Sequence, residues 1–497
     1  MDKYLDTIFD EIDSSIKLDN NQKEVVLDNS NHIIVVAGAG SGKTTTITAK
    51  IKYLVEIKKV LPKDILVISF TNKAINELKE RINNDFKIDC SICTFHKFAY
   101  DILKKYDNKY KIIANPKDII KKIILEDNET NKVIKELLKN KKYKLKSSKY
   151  STDMNYFTEF TLENISLYKM TDINDKQITN KRTLTYFKYL EKIVSKYSTY
   201  LKSEYLLDFE DIVIEATKIV QYIPLKYKYI IIDEYQDISY NRFKLIKKIS
   251  DLYQVKTMVV GDDWQAIFSF AGSNVNLFLN YKQVMNAKMY MIVNTYRNSQ
   301  ELIDIAGNFI MNNKKLLQKK LISNNKLSFP VEIYRYKNNI HEILIMILNK
   351  IIGESGINKN ILILGRYNMD IKLIIGNSIK VKNEKIIYKK YPNLNITFMT
   401  VHASKGLGYD NVILINMIND TYGFPSKIEN DEIKDILINK SDSILEERRL
   451  FYVALTRTKN KVYILTKNKK ESSFVKEIAN NTNVYYERKN TKKNTQS

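Results

Sequence analysis

The sequence predicts an α/β fold built from two doubly wound domains with parallel sheets, the first carrying a helical insertion. Three observations point there. A glycine-rich loop, Ala37-Gly38-Ala39-Gly40-Ser41-Gly42-Lys43-Thr44, follows the apolar run at 33–36 and precedes a helix-compatible stretch. Short β-rich apolar runs alternate with helical segments through both halves of the chain. Between 101 and 205 that alternation stops and the chain turns Lys-rich and helical in pattern.

In the loop at 37–44 the glycines let successive N–H groups turn toward phosphate oxygens. Lys43 is placed to reach the β- and γ-phosphates, and Thr44 to offer its hydroxyl to Mg²⁺. Ala37 occupies the position where the phosphate-loop pattern has its first glycine, at the strand exit, where a methyl group costs little. A nucleoside triphosphate is the expected ligand. The runs at 65–70, 229–232 and 257–260 read as further buried strands of the first domain, and those at 331–334, 361–364, 396–399, 412–415 and 462–465 as strands of the second. The strand at 229–232 ends in Asp233-Glu234, and carboxylates at the carboxyl end of a parallel strand sit where nucleotides bind. Asp233 is expected to hold Mg²⁺, and Glu234 to accept a proton from the attacking water. The expected division is 1–100 with 206–285, an insertion at 101–205, a second domain at 286–486 and a disordered tail at 487–497.

The chain of 497 residues carries 81 Lys+Arg against 57 Asp+Glu, a net charge of +24, which suits a polyanionic partner such as nucleic acid. A Lys-, Asn-, Ile- and Tyr-rich composition also follows from AT-rich coding sequence, so charge supports this inference without deciding it. Residues 101–150 hold 15 Lys and 7 Asp+Glu, densest at 139–149. No run of about 20 apolar residues occurs, and the polar start is unlike a leader, so a soluble intracellular protein, cytoplasmic or nucleoid/nuclear, with no membrane partner is expected. Cys90 and Cys93, near His96, are the two cysteines; zinc needs four ligands and His32, His341 and His402 lie far away in sequence, so no structural metal is expected.

Further motifs resemble the UvrD/Rep family of superfamily-one DNA helicases, in family order and over nearly the whole chain. Gln22 is similar to the family's adenine-reading glutamine. Ser69-Phe70-Thr71-Asn72-Lys73-Ala74 and Cys93-Thr94-Phe95-His96 resemble segments that touch single-stranded DNA. The stretch 261–272, with Asp262-Asp263-Trp264-Gln265 in the form of the helicase IV branch, resembles the motif coupling ATP to DNA. Asn294-Thr295-Tyr296-Arg297, Thr400-Val401-His402-Ala403-Ser404-Lys405-Gly406-Leu407 and the run 447–457 match the remaining motifs.

The resemblance implies two RecA-like P-loop motor domains and an ATP- and Mg²⁺-dependent, single-stranded-DNA-stimulated translocase and 3′→5′ helicase of DNA repair or replication. The nucleotide would be bound by Gln22, Ala37 to Thr44, Thr45, Tyr296 and Gly406, and the metal by Thr44 and Asp233. Hydrolysis would rest on Lys43, Asp233, Glu234, Gln265, Arg297 and Arg457, the two arginines neutralising charge on the transferring phosphoryl group. DNA would meet Phe70, Thr71, Asn72, Thr94, His96, Phe268, Phe270, Thr400 and His402, with base stacking on the phenylalanines. Gly408 stands where many relatives carry a ribose-contacting Glu, Thr45 where many carry Arg, and Ser269 and Ala271 replace further arginines. The family's second insertion is reduced to about 367–395. DNA junctions are expected to meet the Lys-rich insertion, RNA stays open as a track, and a monomer is favoured. A nucleic-acid-dependent ATPase that remodels protein complexes is the alternative activity.

Overall fold

A computed structural model describes residues 2–113, 115–171, 178, 180–382, 385–428, 432–438 and 443–487. The tail expected to be disordered therefore lies outside the described residues from 488 onward.

The apolar runs of the first half form β1 (His32–Ala37), β2 (Ile65–Ser69) and β3 (Ser91–Thr94), then, beyond a small pair β4 (Lys111–Ile112) and β5 (Leu206–Leu207), β6 (Tyr229–Ile232), β7 (Lys256–Gly261) and β8 (Lys288–Ile292). The main sheet runs β3-β2-β6-β7-β1-β8, every pair parallel. Its central strands are buried on both faces, as near-continuous Ile and Val require. This order sets the carboxyl ends of β1, β6 and β7 side by side.

Two expected borders move. The strand β8 pairs with β1, so the first sheet continues past 285; in Lys288-Met289-Tyr290-Met291-Ile292 the polar and half-exposed positions of an edge strand hide the apolar signal. The helix Phe95–Tyr106 keeps Phe98, Ala99, Ile102 and Leu103 in the first domain's core, so the insertion starts after 106 rather than at 101. Parallel pairing of Lys111 with Leu206 draws its entry and exit together. Helices Lys117–Glu126, Thr130–Leu138, Lys141–Ser147, Asp153–Met170 and Lys181–Ser203 close round a separate core that includes Ile124, Phe157, Tyr186 and Leu190. The short helix Glu432–Leu437 of the second half docks there, burying Ile433 and Leu437.

The second half forms β9 (Val331–Tyr336), β10 (Ile361–Gly365), β11 (Ile379–Lys382), β12 (Lys385–Tyr388), β13 (Tyr391–Thr400), β14 (Asn411–Leu414), β15 (Val462–Lys467) and β16 (Val484–Tyr486), in the order β11-β12-β13-β10-β14-β15-β9-β16. Pairs from β13 to β16 are parallel, whereas β11, β12 and β13 are antiparallel. Within 367–395, where the resemblance implies a reduced second insertion, β11 and β12 extend the sheet. Trp264 of the first half is fully buried in the second domain's core, edge-on to Tyr452 with ring centroids 5.3 Å apart.

Candidate nucleotide site and nucleic-acid cleft

A cleft of about 1150 Å³ opens where the two sheets face each other, lined by the loop after β1, the ends of β6 and β7, and the segments around Arg297, His402 and Arg457. Gly40 and Gly42 adopt φ of 70° and 80°, and a Cβ on Gly40 would stand 2.5 Å from Arg297 Cβ, so glycine permits both the turn and the approach of the second half. The loop opens directly into the helix Lys43–Glu56, whose free N–H groups and dipole favour an anion. Thr45 lies in the cleft wall, with Arg81 Nη1 3.5 Å from its hydroxyl.

Lys43 Nζ lies 3.1 Å from Glu234 Oε1. Burial acts to lower the Lys43 pKa, but the Glu234 and Asp233 carboxylates outweigh it and hold the amine charged. Burial, then the Glu234 charge, pushes Asp233 up. Burial opposes ionisation of Glu234 as well, yet Lys43, Lys405 and Gln236 together carry its pKa down. Glu234 also sits at φ 52° and ψ 37°, a left-handed conformation that is uncommon for Glu and typical of strained functional positions. The Thr44 hydroxyl and Asp233 carboxylate supply the hard oxygen donors suited to Mg²⁺, and a divalent cation would relieve the repulsion between the two adjacent carboxylates.

From the facing side, Arg457, 1% exposed, donates from Nη2 to Gln265 Oε1 at 2.9 Å and from Nε to the Val453 carbonyl at 2.9 Å. Arg297 and Arg457 each donate to the Leu407 carbonyl at 3.3 Å, so the two guanidiniums converge. Burial, then the Arg297 charge, lowers Arg457 to about 9, which leaves it protonated at neutral pH. Gln22 is buried under the phosphate loop, donating from Nε2 to the Ser41 carbonyl at 3.1 Å, and closes a capping box with Asp19. Tyr296 is half exposed, its hydroxyl donating to Asp19 Oδ2 at 3.0 Å. Gly406, at φ 80°, borders the same space.

The remaining candidates line the same cleft or its flank. Phe268, Phe270 and His402 form a ring cluster, with centroids 5.9 Å apart for Phe268–Phe270 and 5.3 Å for Phe270–His402. Phe270 is 54% exposed, whereas Phe268 packs on the second domain's core with Lys405 Nζ 4.9 Å from its ring centroid. Phe70 packs on Phe95. Thr71 and Thr94 cap the helices Asn72–Lys79 and Phe95–Tyr106, which fixes their hydroxyls at helix N-termini beside Asn72 and His96. Thr400 accepts from the Ala403 N–H at 3.4 Å. Burial, reinforced by nearby cations, holds His96 and His402 down at about 4.

The structure adds residues that sequence reasoning missed. Lys405 bridges the domains, 2.5 Å from Asp237 Oδ2 and 2.8 Å from the Gln265 carbonyl. Arg242 stands over Phe70, and Phe209 stands edge-on to His96. A signal was present: arginine is scarce in this Lys-rich chain, yet Arg81, Arg242, Arg297 and Arg457 all line the cleft.

Residues 18–286 match the UvrD/REP helicase N-terminal domain and 377–469 the UvrD-like helicase C-terminal domain. The chain is 28% identical to DNA helicase IV of Escherichia coli (strain K12), covering 98% of this chain and 73% of that protein. It is 30% identical to ATP-dependent DNA helicase Rep of Buchnera aphidicola subsp. Baizongia pistaciae (strain Bp), over 76% of this chain and 55% of that protein. Identity to ATP-dependent DNA helicase PcrA of Bacillus subtilis (strain 168) is 29%, over 65% and 43%. The chain thus spans about half the length of these Rep and PcrA relatives. One match runs from before the phosphate loop to past β7 and the second continues from β11 to β15: the chain belongs to the UvrD/REP helicase family.

Proposed function

We propose that the protein is an ATP-driven motor that moves along single-stranded DNA and separates strands in the 3′→5′ direction. The observation that carries this is the hydrogen bond from Arg457 to Gln265, which joins the two domains across a cleft lined by Lys43, Glu234 and His402, with the exposed Phe270 ring against His402. The phosphate loop and Lys43 bind the triphosphate, with Gln22 and Tyr296 beside the base. Thr44 and Asp233 would hold Mg²⁺, which neutralises charge on the β- and γ-phosphates when bound. Glu234 takes the proton of the attacking water, Gln265 orients that water, and Arg297 and Arg457 stabilise the developing phosphoryl charge. The segment 265–270 joins Gln265 to the exposed ring of Phe270, so a change at the phosphate reaches the base grip through a few residues of chain. Phe70, Thr71, Asn72, Thr94, His96, Phe268, Thr400 and His402 complete the track, and the Lys-rich insertion meets the duplex ahead of it.

ATP hydrolysis measured with single-stranded DNA, single-stranded RNA and no polymer, followed by strand displacement on 3′- and 5′-tailed duplexes, tests this. DNA-stimulated hydrolysis with displacement only from the 3′ tail is the expected result. Stimulation without displacement points to a remodelling ATPase, and stimulation by RNA alone changes the track.

A further inference from the structure

Lys319 lies in the connection between the helix Gln300–Met311 and β9, yet its side chain ends inside the turn that follows β7. It is 1% exposed, and its Nζ stands 2.5 Å from Asp262 Oδ1 and 2.7 Å from Asp263 Oδ1, both carboxylates fully buried. The same ammonium sits 4.5 Å from the Trp264 ring centroid. Asp262 uses its other oxygen to accept from Gln265 Nε2 at 2.6 Å, and Gln265 Oε1 in turn accepts from Arg457 Nη2 at 2.9 Å. On the opposite side the Asp262 N–H donates to Gln236 Oε1 at 2.9 Å, and Gln236 Nε2 donates to Glu234 Oε2 at 2.5 Å. One unbroken hydrogen-bond path therefore runs from Glu234 to Arg457 through Asp262.

A primary amide presents a donor on one side and an acceptor on the other, so the partner of one side decides which faces the cleft. Asp262 Oδ2 ties down the Gln265 NH₂ group and leaves Oε1 for the cleft. Lys319 Nζ grips Asp262 Oδ1 and so sets the orientation in which the carboxylate offers Oδ2 to the Gln265 amide. Without Lys319 the carboxylate loses that contact, and the Gln265 amide relies on its hydrogen bond to Arg457 Nη2 to hold Oε1 outward. Packing alone does not explain the triad of Lys319, Asp262 and Asp263, because a wholly apolar set of side chains usually fills such a site at equal or better stability.

We propose that Lys319 is a positioning residue for ATP hydrolysis, fixing the amide of Gln265 through Asp262 so that its oxygen faces the γ-phosphate region. This rests on the assignment of Gln265 to the hydrolytic water given above.

The test is a double-mutant cycle on the full chain, with Lys319→Met, Gln265→Ala and the double variant assayed for DNA-stimulated kcat and KM, and for binding of a fluorescent ATP analogue. Lys319→Met is expected to lower kcat on the order of 10- to 100-fold while KM and analogue affinity stay within about threefold. In the Gln265→Ala background the same change is expected to alter kcat by less than about threefold, because residues acting through one another are not additive. Equal losses in both backgrounds, or an unchanged kcat in Lys319→Met, overturn the proposal. Since Lys319→Met leaves two unpaired buried carboxylates, Lys319→Met/Asp263→Asn is made as well. It is expected to regain part of the melting temperature lost in Lys319→Met and still lose kcat, and recovery of wild-type kcat overturns the proposal. Absence of hydrolysis by the wild-type chain sinks the assignment of Gln265 and this inference together, whereas additivity in an active wild type sinks this inference alone.

Discussion

Lys43 and Glu234 form a partly buried ion pair, Nζ to Oε1 at 3.1 Å, between the phosphate loop and the end of β6. Under the proposed function, this lysine exchanges a carboxylate for phosphate oxygens when ATP enters, and the exchange frees Glu234 for the attacking water. Nucleotide binding and activation of the base are then one event.

Glu234→Gln is accordingly expected to lower turnover by roughly 10²–10⁴, the usual range for a positioned base. ATP affinity should hold or rise, since Lys43 no longer has to leave a carboxylate. Steady-state hydrolysis with a nucleotide titration checks both, and wild-type turnover removes Glu234 from the mechanism.

Arg457→Ala should cost on the order of 10³–10⁵ in turnover, with a much smaller effect on ATP binding. The side chain is almost fully buried, so melting is recorded alongside. A collapse of ATP affinity with normal turnover at saturation would show a binding residue instead.

Phe270→Ala should weaken single-strand binding by about 1–3 kcal/mol, the worth of one base–aromatic stack. The ring is more than half exposed, so melting should barely change. DNA-stimulated hydrolysis should fall more than basal hydrolysis; equal loss of both would remove Phe270 from the base grip.

Lys141 and Lys144 are exposed on the insertion helix Lys141–Ser147. Changing both to Gln should reduce the salt slope of junction binding by about 1 for each phosphate that is no longer neutralised, leaving single-strand-stimulated hydrolysis intact. An unchanged slope means that the junction docks elsewhere than on this helix.

His96 and His402 are held at about 4 in the folded chain, below the ordinary histidine value, mainly by burial. The unfolded chain therefore binds more protons between about pH 6.5 and 4, and stability contributed by the neutral rings is full above that window and lost as pH falls through it. Denaturant unfolding at intervals across the window should give a flatter profile for His402→Gln than for the wild type. Parallel profiles would show that His402 titrates normally.

Each motif legible in the sequence is a contiguous string whose chemistry is local. The glycines that set Lys43 and Thr44 at a helix N-terminus act over eight residues, and Asp233-Glu234 follows its own strand. Phe268 and Phe270 lie close after Gln265. Strand β8 was not legible, because an edge strand alternates polar and apolar positions. Lys319, Arg242 and Phe209 were not legible either, because each acts on residues from a distant part of the chain.

The sequence by itself determined the parallel strands at the centre of both sheets, the phosphate loop and the carboxylates of the proposed hydrolytic site, since backbone turns, apolar runs and strand ends are set by near neighbours. Only the tertiary structure decided which groups meet. The order β6-β7-β1 brings Glu234, Gln265 and Lys43 to one sheet edge. Docking of the second half sets Arg457 on Gln265 and Lys319 on Asp262, because buried charges find their partners through long-range packing that no local spacing records.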